Sequence, residues 1–410
     1  MGALAGVWFK VTDLEVATGS GCWVTTTSGE RYLDFSSGIA VTSTGHAHPA
    51  VVEAISRQAN RFLHAQVNVY THDLMQPLAD ELERITPAEI DTFFFANSGA
   101  EATEAAVKLA KQASKRPHVI VFSGSFHGRT HLAMAMTTSK TSYRAGHAPL
   151  PSGVFVAPFP DPLAVDPDDE VERCLAGLRH LLASQTAPAE TAAMLLEPEL
   201  GEGGYIPAPP AFLRGVVEIC REHGILFVAD EVQCGFGRTG KMFAVDHYDV
   251  VPDVLVMAKG IASGFPFSAV GASGELMAKW PTGSHGGTYG GNPMGCAAAL
   301  ATIGVVNSPG FLDNVVARGE QLRAGLREIA ASPGSGLVDV RGLGLMVASE
   351  FSDGDRAARV LQHCLREGRL ILMNAGTYGR VVRWMPPLVV DADEIDTALA
   401  AFAAAVAATA

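Results

Sequence analysis

The sequence predicts an α/β fold with a mostly parallel sheet in a large domain, joined to a smaller α+β domain. Three observations predict it. Short continuous apolar runs end abruptly in turn residues at 92–96, 119–122, 192–196, 225–229 and 254–257, the mark of strands buried on both faces. Helical spacings fill the gaps, so strand and helix alternate from about residue 51 to residue 291, the pattern of a parallel sheet with crossover helices. Beyond that stretch the pattern becomes a mixture of hairpin, helix and strand. A chain of 410 residues also exceeds what one hydrophobic core ordinarily serves. The expected division is a large domain at 49–299 and a discontinuous small domain from 1–48 and 300–410.

In order, 22–27 and 30–35 flank Ser28-Gly29 and read as a hairpin. A glycine-interrupted apolar loop follows at 37–41. His46 and His48 form a His-x-His pair with no carboxylate or third histidine close in sequence, so a polar loop before a helix is a simpler reading than a metal site. Pro49 suits a first helical turn, and Val51, Val52, Ile55, Ala59 and Phe62 keep helical spacing. Residues 73–85 read as a second helix. The strand at 92–96 runs into Asn97-Ser98-Gly99-Ala100-Glu101, which opens another helix. Such a turn can cradle a phosphate, because free N–H groups and the helix dipole favour an anion there; a tight turn alone also needs the glycine.

The strand at 119–122 leads to Ser125-Phe126-His127-Gly128-Arg129-Thr130. An aromatic ring, a ring nitrogen and a guanidinium thus gather beyond a strand end. Arg129 can grip a substrate carboxylate bidentately or make a surface ion pair. Acidic, proline-containing 161–170 reads as a surface loop before a helix to Ala183. The strand at 192–196 is followed by Glu197-Pro198, then by Gly201-Glu202-Gly203-Gly204, where the backbone can bend closely around a ligand. A helix at 210–223 stops at Gly224. In Gly286-Gly287-Thr288-Tyr289-Gly290-Gly291-Asn292-Pro293, Thr288 can offer a hydroxyl to phosphate or simply sit in a turn-rich loop. Helices at 291–306 and 309–331, a hairpin at 338–348, a helix near 355–367 and a strand at 381–386 with Arg383 in an apolar setting follow. With the N-terminal hairpin they make up the smaller domain.

Bulk properties exclude several classes. Net charge is −13 with no lysine- and arginine-rich block, so nucleic acid and anionic membrane are poor partners. Cys22, Cys174, Cys220, Cys234, Cys296 and Cys364 are scattered singly, which offers neither a metal site nor a disulfide framework. They suit core residues or free thiols in a reducing compartment. Residues 1–10 lack a signal-peptide pattern, and the alanine-rich tail after Asp396 is too short to span a bilayer. A soluble cytoplasmic protein is expected.

The chemistry concentrates between 225 and 259. The first apolar run there ends in Asp230-Glu231-Val232-Gln233, and the second delivers Ala258-Lys259-Gly260. In parallel sheets ligands sit beyond the carboxyl ends of the strands. One strand therefore presents an acid at the sheet's mouth and another an amine. A partly desolvated lysine becomes a nucleophile toward carbonyls, and a buried carboxylate can hold a protonated pyridine nitrogen. That pair is what pyridoxal phosphate requires, although charges just past strand ends are also commonly mere solvated residues. Gly235-Phe236-Gly237-Arg238-Thr239-Gly240-Lys241-Met242 imitates both GxGxxG and the phosphate loop GxxxxGK[ST]. Neither holds: Met242 stands where a hydroxyl is needed, and no helical pattern follows.

Taken together, Ser98-Gly99-Ala100-Glu101-Ala102, Phe126-His127-Gly128-Arg129-Thr130, Glu197-Pro198, Gly201-Glu202-Gly203-Gly204, Asp230-Glu231-Val232-Gln233, Gly237-Arg238-Thr239-Gly240, Ala258-Lys259 and 287–293 occur in an order that resembles the class III aminotransferases, of the pyridoxal-phosphate-dependent transferase fold type I. The resemblance runs from about Leu33 to the C-terminus. It implies that Lys259 forms the Schiff base and shuttles the proton, and that Asp230 pairs with the pyridinium nitrogen. It places Val232 and Phe126 on the two ring faces and Gln233 at the phenolic oxygen. Ser98 and His127 would join this cofactor shell, and Gly99 and Ala100 would hold phosphate through their N–H groups. Thr288 would reach the phosphate of the partner subunit in a homodimer.

Within the family, 377–388 is similar to the C-terminal segment of 4-aminobutyrate (ω-amino acid) aminotransferases. That likeness implies transfer of an amino group from an ω-amino acid or amine to 2-oxoglutarate or another keto acid. Arg383 would bind the α-carboxylate and Arg129 the distal one. Glu202 would pair with Arg383 when the donor lacks an α-carboxylate and swing aside when one arrives, since a buried unpaired arginine is costly. Ile39 and Glu197 would also belong to the substrate pocket. Acetylornithine or amine:pyruvate aminotransferase is the alternative, and an aminomutase a more remote one. Glu199 and Leu200 depart from the family's usual apolar residue and Gln, which bears on donor preference.

Overall fold

The computed structural model describes residues 4–410. Its centre is a seven-stranded sheet in the order Thr92–Ala96, Ser268–Ala272, Val254–Met257, Leu226–Asp230, Thr191–Leu196, His118–Phe122, Val154–Ala157. Only Ser268–Ala272 runs antiparallel to its neighbours. Every residue of Thr191–Leu196 and Val254–Met257 is buried, because helices cover both faces. The sequence gives no strand signal at Ser268–Ala272. It reads Ser-Ala-Val-Gly-Ala, too small to show a pattern, and small residues are what the position requires: a Cβ on Gly271 would lie 2.5 Å from Ile90 Cγ2.

The helices follow the expected turns with corrections at their ends, those expected from 291 and 309 beginning at Pro293 and Phe311. Residues 161–170 are not all loop: a helix spans Pro167–Ser184, and the Asp166 side chain accepts from the N–H groups of Asp168 and Asp169. Acidic residues in a first turn complement the helix dipole, so charge here starts a helix. The helix expected from residue 73 begins at Met75.

Two four-stranded sheets stand apart from the large one. Val16–Ser20, Trp23–Thr26 and Arg31–Asp34 form the first, completed by Leu370–Ile371, whose Leu370 pairs with Leu33. Leu337–Leu343, Met346–Phe351, Val381–Trp384 and Met373–Ala375 form the second. Both pack into one apolar core with the helices Phe311–Ala331, Gly354–Arg366 and Ala392–Ala408, where Trp384 meets Phe402 edge-on at 4.9 Å. Residues from both ends of the chain thus share a core, while the seven-stranded sheet is covered by others drawn from Val51 to Val306.

Arg238 ties the end of the large sheet to the second four-stranded sheet. It is 1 % exposed, and its Nη1 donates to the carbonyls of Leu345 and Pro386. Gly237 and Gly240 beside it adopt φ of +87° and +88°, so the glycines that imitate a nucleotide loop serve a tight turn. All six cysteines are free and buried. No single helix among the described residues is long and apolar enough to cross a membrane.

Candidate active site

A cavity of about 490 Å³ opens at the carboxyl edge of the parallel strands, where such sheets bind ligands. Five strand ends feed it. Thr92–Ala96 supplies Asn97, Ser98 and Gly99; His118–Phe122 leads to Phe126, His127 and Arg129; Thr191–Leu196 supplies Glu197; Leu226–Asp230 ends on Asp230, followed by Val232 and Gln233; Val254–Met257 delivers Lys259. Asp230 lies opposite Val256 in the parallel register, so acid and amine stand at the ends of adjacent strands.

Lys259 begins a short 3-10 turn with φ of +46°, a strained conformation for a residue with a side chain and one that concentrates at functional sites. Burial drives its ammonium toward losing its proton, and the carboxylates of Glu202, Asp230 and Glu197 offset this only in part, so its pKa lies below the usual lysine value. Asp230 is 2 % exposed; its Oδ1 accepts from Val232 N at 3.0 Å and its Oδ2 from His127 Nδ1 at 2.7 Å. A carboxylate can only accept, so the imidazole carries its hydrogen on Nδ1. His127 Nε2 is buried without a partner. Glu197 accepts from Phe126 N and Gly201 N, each at 2.8 Å. Burial pushes its carboxyl up to about 7, against the pull of His127 and these two bonds.

The lining fits pyridoxal phosphate. Ser98 caps the 16-residue helix Gly99–Ser114 by accepting from Glu101 N, which leaves the first N–H groups of the helix for an anion. A Cβ on Gly99 would lie 2.9 Å from Val232 Cγ1, so only glycine lets this helix start approach the apolar wall. Val232 and Phe126 supply apolar and aromatic surface for a ring. Gln233 also lines the cavity, with its Oε1 accepting from Tyr205 O–H at 2.8 Å.

Beyond these residues lies a second polar group, outside the cavity lining, whose Glu202 and Arg383 charges nevertheless act on Lys259. Arg383, from Val381–Trp384, donates to Glu202 Oε1, and Tyr143 O–H donates to Glu202 Oε2 at 3.0 Å. Burial opposes ionisation of Glu202, but the Arg383 charge and hydrogen bond and the Lys259 charge outweigh it, so the carboxyl titrates below its usual value. Arg129 lies over the Tyr143 ring at 4.5 Å. Tyr143 carried no signal in the sequence, because it sits in an isolated 3-10 turn without periodicity. Two expected residues stand elsewhere. Ile39 is 37 % exposed and outside the cavity lining, which Val41 joins instead. Thr288 is exposed and does not line the cavity of its own chain.

Glu199 is fully buried, but away from this cavity. It pairs with Pro207 in a two-stranded ladder, and neither carboxylate oxygen has a hydrogen-bond partner. Burial holds its pKa well above the usual value, against the attraction of the Leu343 backbone, Arg323 and Arg341. Glu199 therefore sits at the seam between the sheets, outside the lining of the cavity.

An amine and a carboxylate on adjacent strand ends, facing a helix N-terminus, define a pyridoxal-phosphate-dependent enzyme. Residues 6–406 match the sequence model of the class-III aminotransferases, and the chain belongs to that family. It is 40% identical to the 5-aminovalerate aminotransferase of Pseudomonas putida, over 95% of this chain and 93% of that one. To the 4-aminobutyrate aminotransferase of Escherichia coli it is 38% identical, over 91% and 89%. To the acetylornithine aminotransferase of Corynebacterium efficiens it is 40% identical, over 97% and 94%. A PLP-bound amine transaminase from an uncultivated Pseudomonas species superposes with a TM-score of 0.92 at 27% identity, covering 100% of both chains.

Proposed function

We propose that this aminotransferase moves the terminal amino group of an ω-amino acid, of the 4-aminobutyrate or 5-aminovalerate kind, to 2-oxoglutarate. The observation that carries this reading is the buried Arg383–Glu202 pair. A donor without an α-carboxylate leaves Arg383 unmatched, and Glu202 neutralises it. An acceptor with one displaces Glu202 and takes the guanidinium. Removing one partner of a buried ion pair is strongly unfavourable, so an internal carboxylate answers the need to hold both substrates. Arg129 grips the carboxylate at the far end of either substrate.

Bound pyridoxal phosphate supplies an aldehyde and a protonated ring that stores the electron pair released at the substrate carbon. Lys259 Nζ, whose hold on its proton burial loosens, would take the proton from that carbon and return it at the other end of the transfer. Asp230 holds a positive ring nitrogen, and His127 orients Asp230 through their 2.7 Å hydrogen bond. Glu197 keeps Phe126 and Gly201 in place through two backbone bonds. Helix N–H groups at Gly99 and Ala100 bind phosphate. We assign Thr288 to the phosphate of a partner subunit, since it is exposed on its own chain, and the buried free thiols suit a cytoplasmic setting.

Half-reactions of the purified holoenzyme with 4-aminobutyrate, 5-aminovalerate, N-acetylornithine and an aryl amine test the substrate, read by cofactor absorbance. The two ω-amino acids should convert the cofactor and 2-oxoglutarate should restore it. Reaction with N-acetylornithine alone would overturn the reading in favour of the relatives that are acetylornithine aminotransferases.

A further inference from the structure

We propose that the Tyr143 hydroxyl is a specificity-determining pivot, on which the Glu202 carboxylate turns when a substrate's α-carboxylate takes Arg383. This rests on the functional reading above and adds a residue to it. Glu202 divides its oxygens: Oε1 meets Arg383, while Oε2 accepts from Tyr143 O–H at 3.0 Å. The two bonds are independent, so one can break while the other holds.

The need for such an anchor follows from burial. Glu202 is 7 % exposed and Arg383 3 %. Once Arg383 is given to the substrate, Glu202 is a carboxylate in a poorly hydrated wall, and a hydrogen bond to a charged acceptor is then at its most valuable. Burial, then the Glu202 carboxylate, pushes the Tyr143 phenol up to about 12, so the hydroxyl keeps the hydrogen it donates.

The ring is held where the pivot must stand. Phe126 meets it edge-on at 5.2 Å, and the Arg129 guanidinium lies 4.5 Å from its centroid. The segment before it is pinned, with Ser139 N donating to Ser125 O and Thr377 Oγ1 donating to Ser139 O. One phenol therefore touches both carboxylate-binding regions, its face under Arg129 and its oxygen on the partner of Arg383. The plainer reading makes Tyr143 only a wall for Phe126 and Arg129, and phenylalanine would serve that purpose equally.

Tyr143→Phe separates the two readings, because it keeps the ring and removes the hydroxyl. On the holoenzyme, single-turnover half-reactions are measured with 4-aminobutyrate and with 2-oxoglutarate. Equilibrium binding of glutarate, which has two carboxylates and cannot react, is measured beside that of valerate, which has one. The variant should raise the half-saturating 2-oxoglutarate concentration and the glutarate Kd by roughly tenfold or more, the worth of a hydrogen bond to a charged group. The 4-aminobutyrate half-reaction and valerate binding should be weakened by a clearly smaller factor. Tyr143→Leu should damage both halves, because Arg129 also loses its ring. Parent-like behaviour of Tyr143→Phe in both halves, or equal losses in both, would overturn the proposal. If the parent refuses 4-aminobutyrate but binds glutarate, the substrate reading fails by itself; the pivot is then judged by the glutarate and valerate constants.

Discussion

At the residue scale, one amine and one ion pair carry the predicted behaviour. Lys259→Ala should lose several orders of magnitude in turnover, because no other lysine lines the cavity. The check is single-turnover kinetics with the reconstituted variant; near-parent rates would remove Lys259 from the chemistry. Arg383→Ala should raise the half-saturating 2-oxoglutarate concentration by about a hundredfold, the order expected for a lost charge-assisted bidentate contact. The 4-aminobutyrate half-reaction should suffer less, and equal losses would argue against an exchangeable Arg383–Glu202 pair. Lys259 and Asp230 were legible in the sequence because each follows an apolar run at which charge is abrupt. The His127–Asp230 bond was not. It spans 103 positions, and only the sheet brings the two together.

At the element scale, the Glu199–Leu200 ladder holds an acid that the fold prefers uncharged. Its pKa is raised above the unfolded value of 4.5. Its contribution to stability is therefore fully present below pH 4.5 and is lost as pH rises toward the folded pKa. Glu199→Gln removes that loss. The Tm of the variant relative to the parent should climb between pH 5 and pH 8; a difference that stays flat would show that Glu199 ionises freely. The sequence marked Glu199 as out of pattern but not where it lay, since the depth of a two-residue strand is decided by what packs over it. Similarly, the apolar run at 370–373 is visible in the sequence but its partner is not, since the pairing of Leu370 and Ile371 with Leu33 and Asp34 is a contact of tertiary origin. The central strands were legible because both faces are buried and every position is apolar. Ser268–Ala272 escaped because its neighbours leave room only for small side chains.

At the scale of the whole molecule, Thr288 is on the outside of the chain that carries it. If it completes the phosphate site of a partner, inactive variants should complement each other. Mixing Lys259→Ala with a Thr288→Val variant under exchange conditions should restore turnover in the hybrid dimer, in which one site keeps both a native lysine and a native threonine. Hybrids no more active than the Thr288→Val parent would place the threonine in its own chain's site or outside the chemistry. The order of motifs announced this architecture over most of the chain. No local pattern could reveal which surfaces meet.

Arg238 sets a limit on how these parts can move. Its guanidinium is stranded from water and has two carbonyls, those of Leu345 and Pro386, as its acceptors, while Leu345 N donates to Arg238 O at 3.0 Å. Pulling the sheets apart along that edge would break both guanidinium bonds at once. Arg238 should act as an axle: any movement of one sheet against the other would have to turn about it rather than open there. The Leu345 amide should accordingly exchange its hydrogen as slowly with glutarate bound as without it, and acceleration on binding would show that the axle slips.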